Sequence, residues 1–237
     1  MEQEKYKKIQ EGTQKVLEES KKETKPYFHE VCSENFIVLP NVFSPKYFED
    51  TEFFAKEVNN YMRNNHFDSF AELGAGTGAI SCIVSKNNNL NNHVVTDINP
   101  QAVKNSKLNI LLHGLGIGSR EGDIYKPIGE QEKFDVIFWN APFGDYAPEK
   151  IGFLEQAVFD PGYIKLEKFI AGAQNHLNKE GTLLIGFSKD LGKFDVLEKL
   201  LSKYGFVPPK LIAESRPSYE GNEDELIKFH LFETKSK

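Results

Sequence analysis

Arginine is scarce in this 237-residue chain: only Arg63, Arg120 and Arg216 occur. The formal net charge is −6. A protein that grips a phosphate backbone usually carries a basic face of clustered Arg and Lys. No such cluster interleaved with aromatics occurs, which counts against a DNA or RNA substrate. Cysteine is scarcer still. Cys32 and Cys82 are the only two, too few for a disulfide framework, so a reducing compartment is expected. Cys82 follows an apolar-patterned segment and reads as a small core residue. No apolar run is long enough to cross a membrane. The first 25 residues, dense in Lys and Glu, lack the apolar stretch of a secretory signal. A cytoplasmic location is therefore expected. The six histidines (His29, His66, His93, His113, His176 and His230) show no paired metal-ligand spacing, so no metal site is expected. No Gly-x-Ser-x-Gly nucleophile elbow is present.

What is present suffices for one α/β domain with a short appendage: 39% of residues are hydrophobic. Residues 1–25 carry mixed charge at helical spacing, with Tyr6, Ile9, Val16 and Leu17 as sparse apolar points. They read as a solvated helix or a partly disordered tail ended by Pro26. Residues 34–45 are apolar, β-rich and broken by Pro40, which suggests a hairpin or strap. Residues 47–62 read as an amphipathic helix. From Ser69 the rhythm is strand, turn, helix. Strands are expected at 70–73, 93–97, 121–125, 134–140 and 182–187. Helices are expected from 79 and over 100–113, 166–177 and 194–204. Two strand-like runs follow, 210–213 and 227–233. The Asn-rich segment 87–92 is a solvated connection. This alternation implies a mostly parallel sheet with helices on both faces. Ligands of such sheets bind beyond the carboxyl ends of the strands, at the switch point. The expected division is an N-terminal helical and strap extension, 1–65, and a catalytic domain, 66–237.

Three motifs fall at strand ends. Glu72-Leu73-Gly74-Ala75-Gly76-Thr77-Gly78-Ala79 is a glycine turn opening a helix. Glycines let the backbone approach a ligand closely, and the free N–H groups of the helix start can face polar ligand atoms. The string also satisfies the dinucleotide fingerprint, with Ala79 in the last place. Asp97, followed by Ile98, ends the next strand. A carboxylate there can accept hydrogen bonds from a ribose diol. Both NAD and S-adenosylmethionine carry one, and Asp97 could instead cap the helix at Asn99-Pro100. Gly122-Asp123-Ile124 ends the third strand, where an acid can accept from the exocyclic amine of adenine.

Asn140-Ala141-Pro142-Phe143 follows the most hydrophobic strand and narrows the choice. It resembles the (Asn/Asp/Ser)-Pro-Pro-(Tyr/Phe/Trp) motif of class I S-adenosylmethionine-dependent methyltransferases that act on nitrogen. With ELGAGTGAI, VVTDINPQAVKNSKLN, GDIYKPI and FDVIFWNAPF, the chain is similar to the release-factor glutamine methyltransferases and the small-domain ribosomal-RNA methyltransferases over about residues 36–190. The segment VLPNVFSPKYFEDTEFF resembles their strap, an apolar–Pro element before an acidic/Thr pair. The resemblance implies a Rossmann-like, doubly wound, mostly parallel seven-stranded sheet with an antiparallel C-terminal hairpin. It implies S-adenosyl-L-methionine as cofactor, held by Glu72, Gly74, Ala75, Gly76, Thr77, Gly78, Asp97, Ile98, Gly122, Asp123 and Asn140, with Phe43, Pro45 and Thr51 from the strap. Asn140, Ala141, Pro142 and Phe143 would form the catalytic motif.

Its chemistry follows from the acceptor. A delocalised amide or amino nitrogen is a poor nucleophile. Two acceptors on its N–H bonds turn the lone pair toward the methyl group: Asn140 Oδ1 and the Ala141 carbonyl. Phe143 would stack on or wall in the planar group, and Trp139 is either a further wall or core. The family usually has Pro where Ala141 stands, so only Pro142 is stiffened here. About 65 residues precede the core, fewer than the helical domain with which release-factor enzymes grip their partner. The expected acceptor is thus an amide or amine on a protein side chain or small metabolite. An RNA base amine is the alternative, as is non-methylating chemistry such as cofactor cyclisation. An NAD oxidoreductase would need a Tyr/Lys hydride site, and none is evident. Tyr146 and the acidic stretch 220–225 could border the acceptor; the latter also reads as a solvated turn.

Overall fold

A computed structural model describes residues 2–216, 218–219 and 226–237. Helix α1 (Glu2–Ser20) leads into a hairpin, β1 (Tyr27–Val31) and β2 (Glu34–Val38), and then α2 (Asp50–Asn65). The alternating body follows: β3 (Ser69–Leu73), α3 (Ala79–Asn87), β4 (Asn92–Asp97), α4 (Pro100–Leu112), β5 (Gly118–Glu121) and β6 (Phe134–Asn140). A short α5 (Phe153–Val158) precedes α6 (Ile164–His176), β7 (Leu177–Phe187), α7 (Phe194–Lys203) and β8 (Lys210–Glu214). The two-residue strands β9 (Ser218–Tyr219) and β10 (Leu226–Ile227) pair with each other, and β11 (His230–Thr234) ends the order.

Seven strands form one sheet in the order β5-β4-β3-β6-β7-β11-β8. β3 runs parallel to β4 and β6, and β6 runs parallel to β7. β11 is antiparallel to both β7 and β8. Five strands with crossover helices and an antiparallel C-terminal pair are the expected architecture. Strand order reverses between β3 and β6, so the crevice lies past Leu73 and Asn140. β6 is apolar along its length because both faces are covered: Phe134, Val136, Ile137 and Phe138 are fully buried.

The structure departs from the sequence reading in several places: α2 is shifted to Asp50–Asn65 and β7 starts at Leu177, not 182. The third body strand is Gly118–Glu121, not 121–125. The Gly122 amide donates to the Asp97 carbonyl, which ends the ladder there and leaves 122–125 as a turn. The hairpin spans 27–38 rather than 34–45; the charged strand YFHEV gives no apolar run, yet it pairs fully with ENFIV. The N-terminal segment is neither a tail nor a fully solvated helix. Ile9, Thr13, Leu17 and Ser20 fall on one face of α1 and are buried. Leu17 joins Phe48, Leu154, Val158 and Phe159 in a cluster separate from the main core. The acidic stretch 220–225 lies outside the described residues.

Besides its pairing with β1, the strap is held by a helix. Asn105 of α4 accepts from Leu39 N (2.8 Å) and donates to Ile37 O (2.7 Å). Asn109 accepts from Ile37 N (2.8 Å) and donates to Ile37 O and Thr77 O (both 2.9 Å). Two buried amides thereby join strap, helix and glycine turn. Asn109→Ala takes this partner from the backbone N–H and carbonyl of Ile37 and from the buried carbonyl of Thr77. It should lower stability by roughly 3 kcal/mol in urea denaturation, whereas a loss under about 1 kcal/mol would mean that water replaces the bonds.

Candidate functional site

The crevice past β3 and β6 is an open cleft between the two strand ends, the place where ligands of such sheets bind. The glycine turn forms its floor. Gly74 and Gly76 have φ of +61° and +55°, conformations that L side chains rarely adopt. A Cβ on Gly74 would also lie 2.6 Å from Trp139 Nε1. Trp139, buried in the core, therefore closes on the turn from β6 and also lines the cleft. Gly78 serves differently. It starts α3 at φ +76°, and its Cβ would meet Ser106 Cβ at 2.9 Å. Its bareness lets α3 and α4 approach, and Gly78 is not on the cleft surface.

Glu72, Gly74, Ala75, Gly76, Thr77, Asp97, Ile98, Gly122, Asp123 and Asn140 line the cleft together with Phe43 and Thr51 of the strap. Pro45 does not. The chain turns at Ser44, whose carbonyl accepts from Tyr47 N and Phe48 N, and returns at Thr51. Ala141 and Phe143 instead line a small chamber that shares Phe43, Asn140, Pro142 and Ala157 with the cleft.

Asp97 is not the helix cap. Asn99 caps α4 by accepting from Gln101 N. Asp97 Oδ1 accepts from Asn99 N (2.8 Å) and Oδ2 from Gly76 N (2.9 Å), tying the strand end to the glycine turn. Burial raises its pKa; these N–H groups and Lys165 pull the other way. Glu72 is fully covered. Burial pushes its carboxyl up to about 8 against the bonds it accepts from Ser81 Oγ (2.5 Å) and Ser81 N (3.0 Å). His93 Nε2 also meets Ser81 Oγ at 3.1 Å, and burial takes His93 down to about 3.

Asn140 contains the site's most informative contact. Its Nδ2 donates to Asp50 Oδ2 at 2.7 Å. An ionised carboxylate can only accept, so the amide nitrogen faces Asp50 and Oδ1 remains available. Neither Asn140 Oδ1 nor Asp50 Oδ1, both buried, has a partner within hydrogen-bond distance among the described residues, the N–H and hydroxyl of Thr51 acting on the Asp50 carboxyl only from farther off. Such orphans are rare and call for a donor. Gly186 makes room here, because a Cβ there would lie 3.0 Å from Asn140 Oδ1. The Ala141 amide, which a proline would lack, donates to Gly186 O at 3.3 Å. A hydrogen bond thus fixes what the missing ring would have stiffened. The Phe143 carbonyl accepts from Tyr163 Oη (2.9 Å), and its ring packs edge-on against Phe187. Phe143 is a wall of the chamber, not a free stacking surface.

Asp50 was not among the expected site residues, although it is the acid of the strap's acidic/Thr pair. Phe153, Gln156 and Ala157 of α5 and Lys165 of α6 also line the cleft. They follow the Asn140 motif at distances that no sequence pattern marks. α5 is pinned on its far side: Leu154 and Val158 pack in the cluster with Leu17 and Phe48, and Glu155 pairs with Lys21 at 2.5 Å. Tyr146 packs edge-on against Phe159 in the same cluster and not in the cleft.

Comparison with known proteins gives the family and the fold. The methyltransferase small domain family model matches residues 33–210. The release factor glutamine methyltransferase of Geobacter sulfurreducens is 27% identical over 203 residues, covering 81% of this chain and 69% of that protein. The ribosomal RNA small subunit methyltransferase C of Aeromonas hydrophila is 30% identical over 117 residues, 49% of this chain and 30% of that protein. The T. thermophilus 16S rRNA N2 G1207 methyltransferase, solved with S-adenosylmethionine and guanosine, superposes with a TM-score of 0.63 at 15% identity, covering 90% of this chain and 50% of that one.

Burial raises Asp50 from 3.8 to about 6 against the hydrogen bond from Asn140. A carboxyl raised in the folded state stabilises fully below its unfolded pKa, and that stability is lost as pH rises through 6. Asp50→Asn does not titrate. It should be more stable than the parent at pH 7.5 by on the order of 3 kcal/mol, with the advantage gone near pH 4. Urea denaturation at both pH values measures this; an equal or negative difference at pH 7.5 contradicts it.

Proposed function

The chain belongs to the methyltransferase small-domain family, and on that footing we propose that it transfers a methyl group from S-adenosylmethionine to an amide or amine nitrogen. The observation that carries the proposal is the pair of buried, unpartnered oxygens, Asn140 Oδ1 and Asp50 Oδ1, at the switch-point end of β6. Two acceptors without donors suit an acceptor group that brings N–H bonds.

The cleft residues fit the cofactor. Asp97 would accept from the ribose hydroxyls and Asp123 from the adenine amine, with Ile98 against the ring. Glu72 and the bare backbone of Gly74 and Gly76 would hold the amino-acid portion, beside Thr51 and Phe43. Bound there, S-adenosylmethionine supplies a methyl group on a positively charged sulfur, whose bond electrons stay with sulfur. Asn140 Oδ1 and the Ala141 carbonyl would orient the acceptor nitrogen so that its lone pair faces the methyl carbon. Alignment of this kind supplies much of the rate of an in-line transfer. Asp50 Oδ1 would take the proton that the nitrogen gives up, a role suited to a carboxyl near 6. Phe43, Phe48, Pro142, Phe143 and Val158 would exclude water from the chamber.

We read residues 66–237 as the catalytic domain and 1–65 as an extension that completes the site through Phe43, Asp50 and Thr51. The acceptor is read as a protein side chain or small metabolite. The chamber is lined by no basic residue and holds a carboxylate, which suits a neutral or cationic nitrogen better than a polynucleotide. The family's RNA-modifying members make a base amine the second reading. A cytoplasmic location accords with two free cysteines.

Calorimetry should show S-adenosylhomocysteine binding, weakened at least about tenfold by Asp97→Ala. Labelled methyl groups should enter the protein or small-molecule fraction of a lysate. Label in RNA would favour the second reading, and methylthioadenosine formed without acceptor would replace transfer by cyclisation. No binding to the parent protein would contradict the proposal.

A further inference from the structure

Helix α3 begins at a glycine and so has no cap of its own. Gly78 lacks a side chain to accept from the free N–H groups of the first turn. Glu72 takes that place from the neighbouring strand. Its Oε2 accepts from Ser81 N (3.0 Å), the third N–H of the helix, and from Ser81 Oγ (2.5 Å). Behind Ser81 stands His93. It is registered with Phe70 across the β3–β4 ladder, their rings edge-on at 5.2 Å. It therefore projects from the same face of the sheet as Phe70 and Glu72. Its Nε2 lies 3.1 Å from Ser81 Oγ. Ser81 and His93 are both buried, neither lines the cleft, and the proposed transfer uses neither.

One order of hydrogens fits a carboxylate at Glu72. A serine hydroxyl has a single proton. Given to Glu72, it leaves Ser81 Oγ only lone pairs, and His93 must donate from Nε2. Burial keeps His93 neutral, with one N–H. Its Nδ1, buried without a hydrogen-bond partner among the described residues, is then a lone pair and not a stranded N–H. Both bonds to Glu72 end on Oε2. Oε1 is left to the cleft, which Glu72 lines beside Gly74 and Thr77. Burial, and more weakly Asp97, raise the Glu72 carboxyl to about 8 against the Ser81 bonds, so a cation at Oε1 completes what those donors begin.

We propose that Ser81 and His93 are positioning residues for the ammonium end of the cofactor: they fix Glu72 with Oε1 toward the cleft and donate in series, His93 to Ser81 and Ser81 to Glu72, to the carboxylate that the ammonium pairs with. This rests on the reading of the cleft as the cofactor site. Ser81 sets the rotamer of Glu72 by gripping one oxygen twice. His93 leaves the serine proton no other place to point.

The test is calorimetric affinity for S-adenosylhomocysteine, whose amino-acid end carries the ammonium. Ser81→Ala should bind at least about tenfold more weakly than the parent. Glu72→Ala removes the group through which Ser81 acts, so adding Ser81→Ala to it should weaken binding by less than about twofold more. A residue that only supports the fold would show the same loss in both backgrounds. His93→Leu should lose at least about fivefold, whereas His93→Gln, whose amide can donate from the place of Nε2, should stay within about twofold of the parent. Three results overturn the proposal: parent-like binding by Ser81→Ala, an equal loss from Ser81→Ala with and without Glu72, or His93→Gln binding as weakly as His93→Leu. Parent protein that binds nothing overturns the cofactor site as well, so the two failures are told apart by which protein fails.

Discussion

The hydrogen bond between Asp50 and Asn140 is the constraint on which the site depends. It joins the first turn of α2 to the end of β6, two elements that the sheet topology alone would not bring into register. Its sign matters more than its strength. A carboxylate can only accept, so it selects the amide orientation that leaves Asn140 Oδ1 as an acceptor. Burying that carboxylate costs stability. The return is a fixed acceptor and a carboxyl that titrates within reach of neutral pH, beside the place where, on the proposed reading, a nitrogen loses a proton. Gly186 completes the arrangement by leaving space on β7.

The rest of the scaffold places Asp50 and closes the cleft. Asn105 and Asn109 hold the strap to α4, and Asn109 reaches the carbonyl of Thr77 in the glycine turn. The strap thus arrives at Phe43 and Thr51 with the turn as its reference. On the opposite side, α1 and the strap pack against α5 through Leu17, Phe48 and Val158. Helix α5 is consequently held from outside by the N-terminal extension and, through Gln156, by Lys165. The extension that looked like a charged tail is part of the wall.

Much of this was legible in the sequence, and the division follows the physics. Residues whose chemistry depends on a strand end were readable, because strand, turn and helix succeed one another locally: Gly74, Asp97 and Asn140 sit where the pattern put them, while Asp123 falls in the turn after a strand that ends at Glu121. The apolar run 134–140 reads as a strand buried on both faces because its period leaves little else. Contacts made by side chains far apart in the chain were not readable. Asp50 and Asn140 are 90 positions apart, and no pattern in either segment names the other. The buried face of α1 was obscured because only Ile9 and Leu17 are apolar, Thr13 and Ser20 covering the rest. The loss of proline at Ala141 looked like a loss of rigidity; the amide bond to Gly186 that replaces it exists only in three dimensions. Pro45 shows the opposite error, a motif residue that the turn at Ser44 carries off the cleft.

The central claim is that Asp50 sets Asn140 for the acceptor and not for the cofactor. The direct measurement is the initial rate of labelled methyl transfer into the acceptor fraction of a lysate for Asp50→Asn and Asn140→Ala, alongside their affinities for S-adenosylhomocysteine. The account predicts that both lose at least about a hundredfold in rate while their affinities stay within about threefold of the parent. Transfer at the parent rate in either variant, or a loss of cofactor affinity that matches the loss of rate, would contradict it.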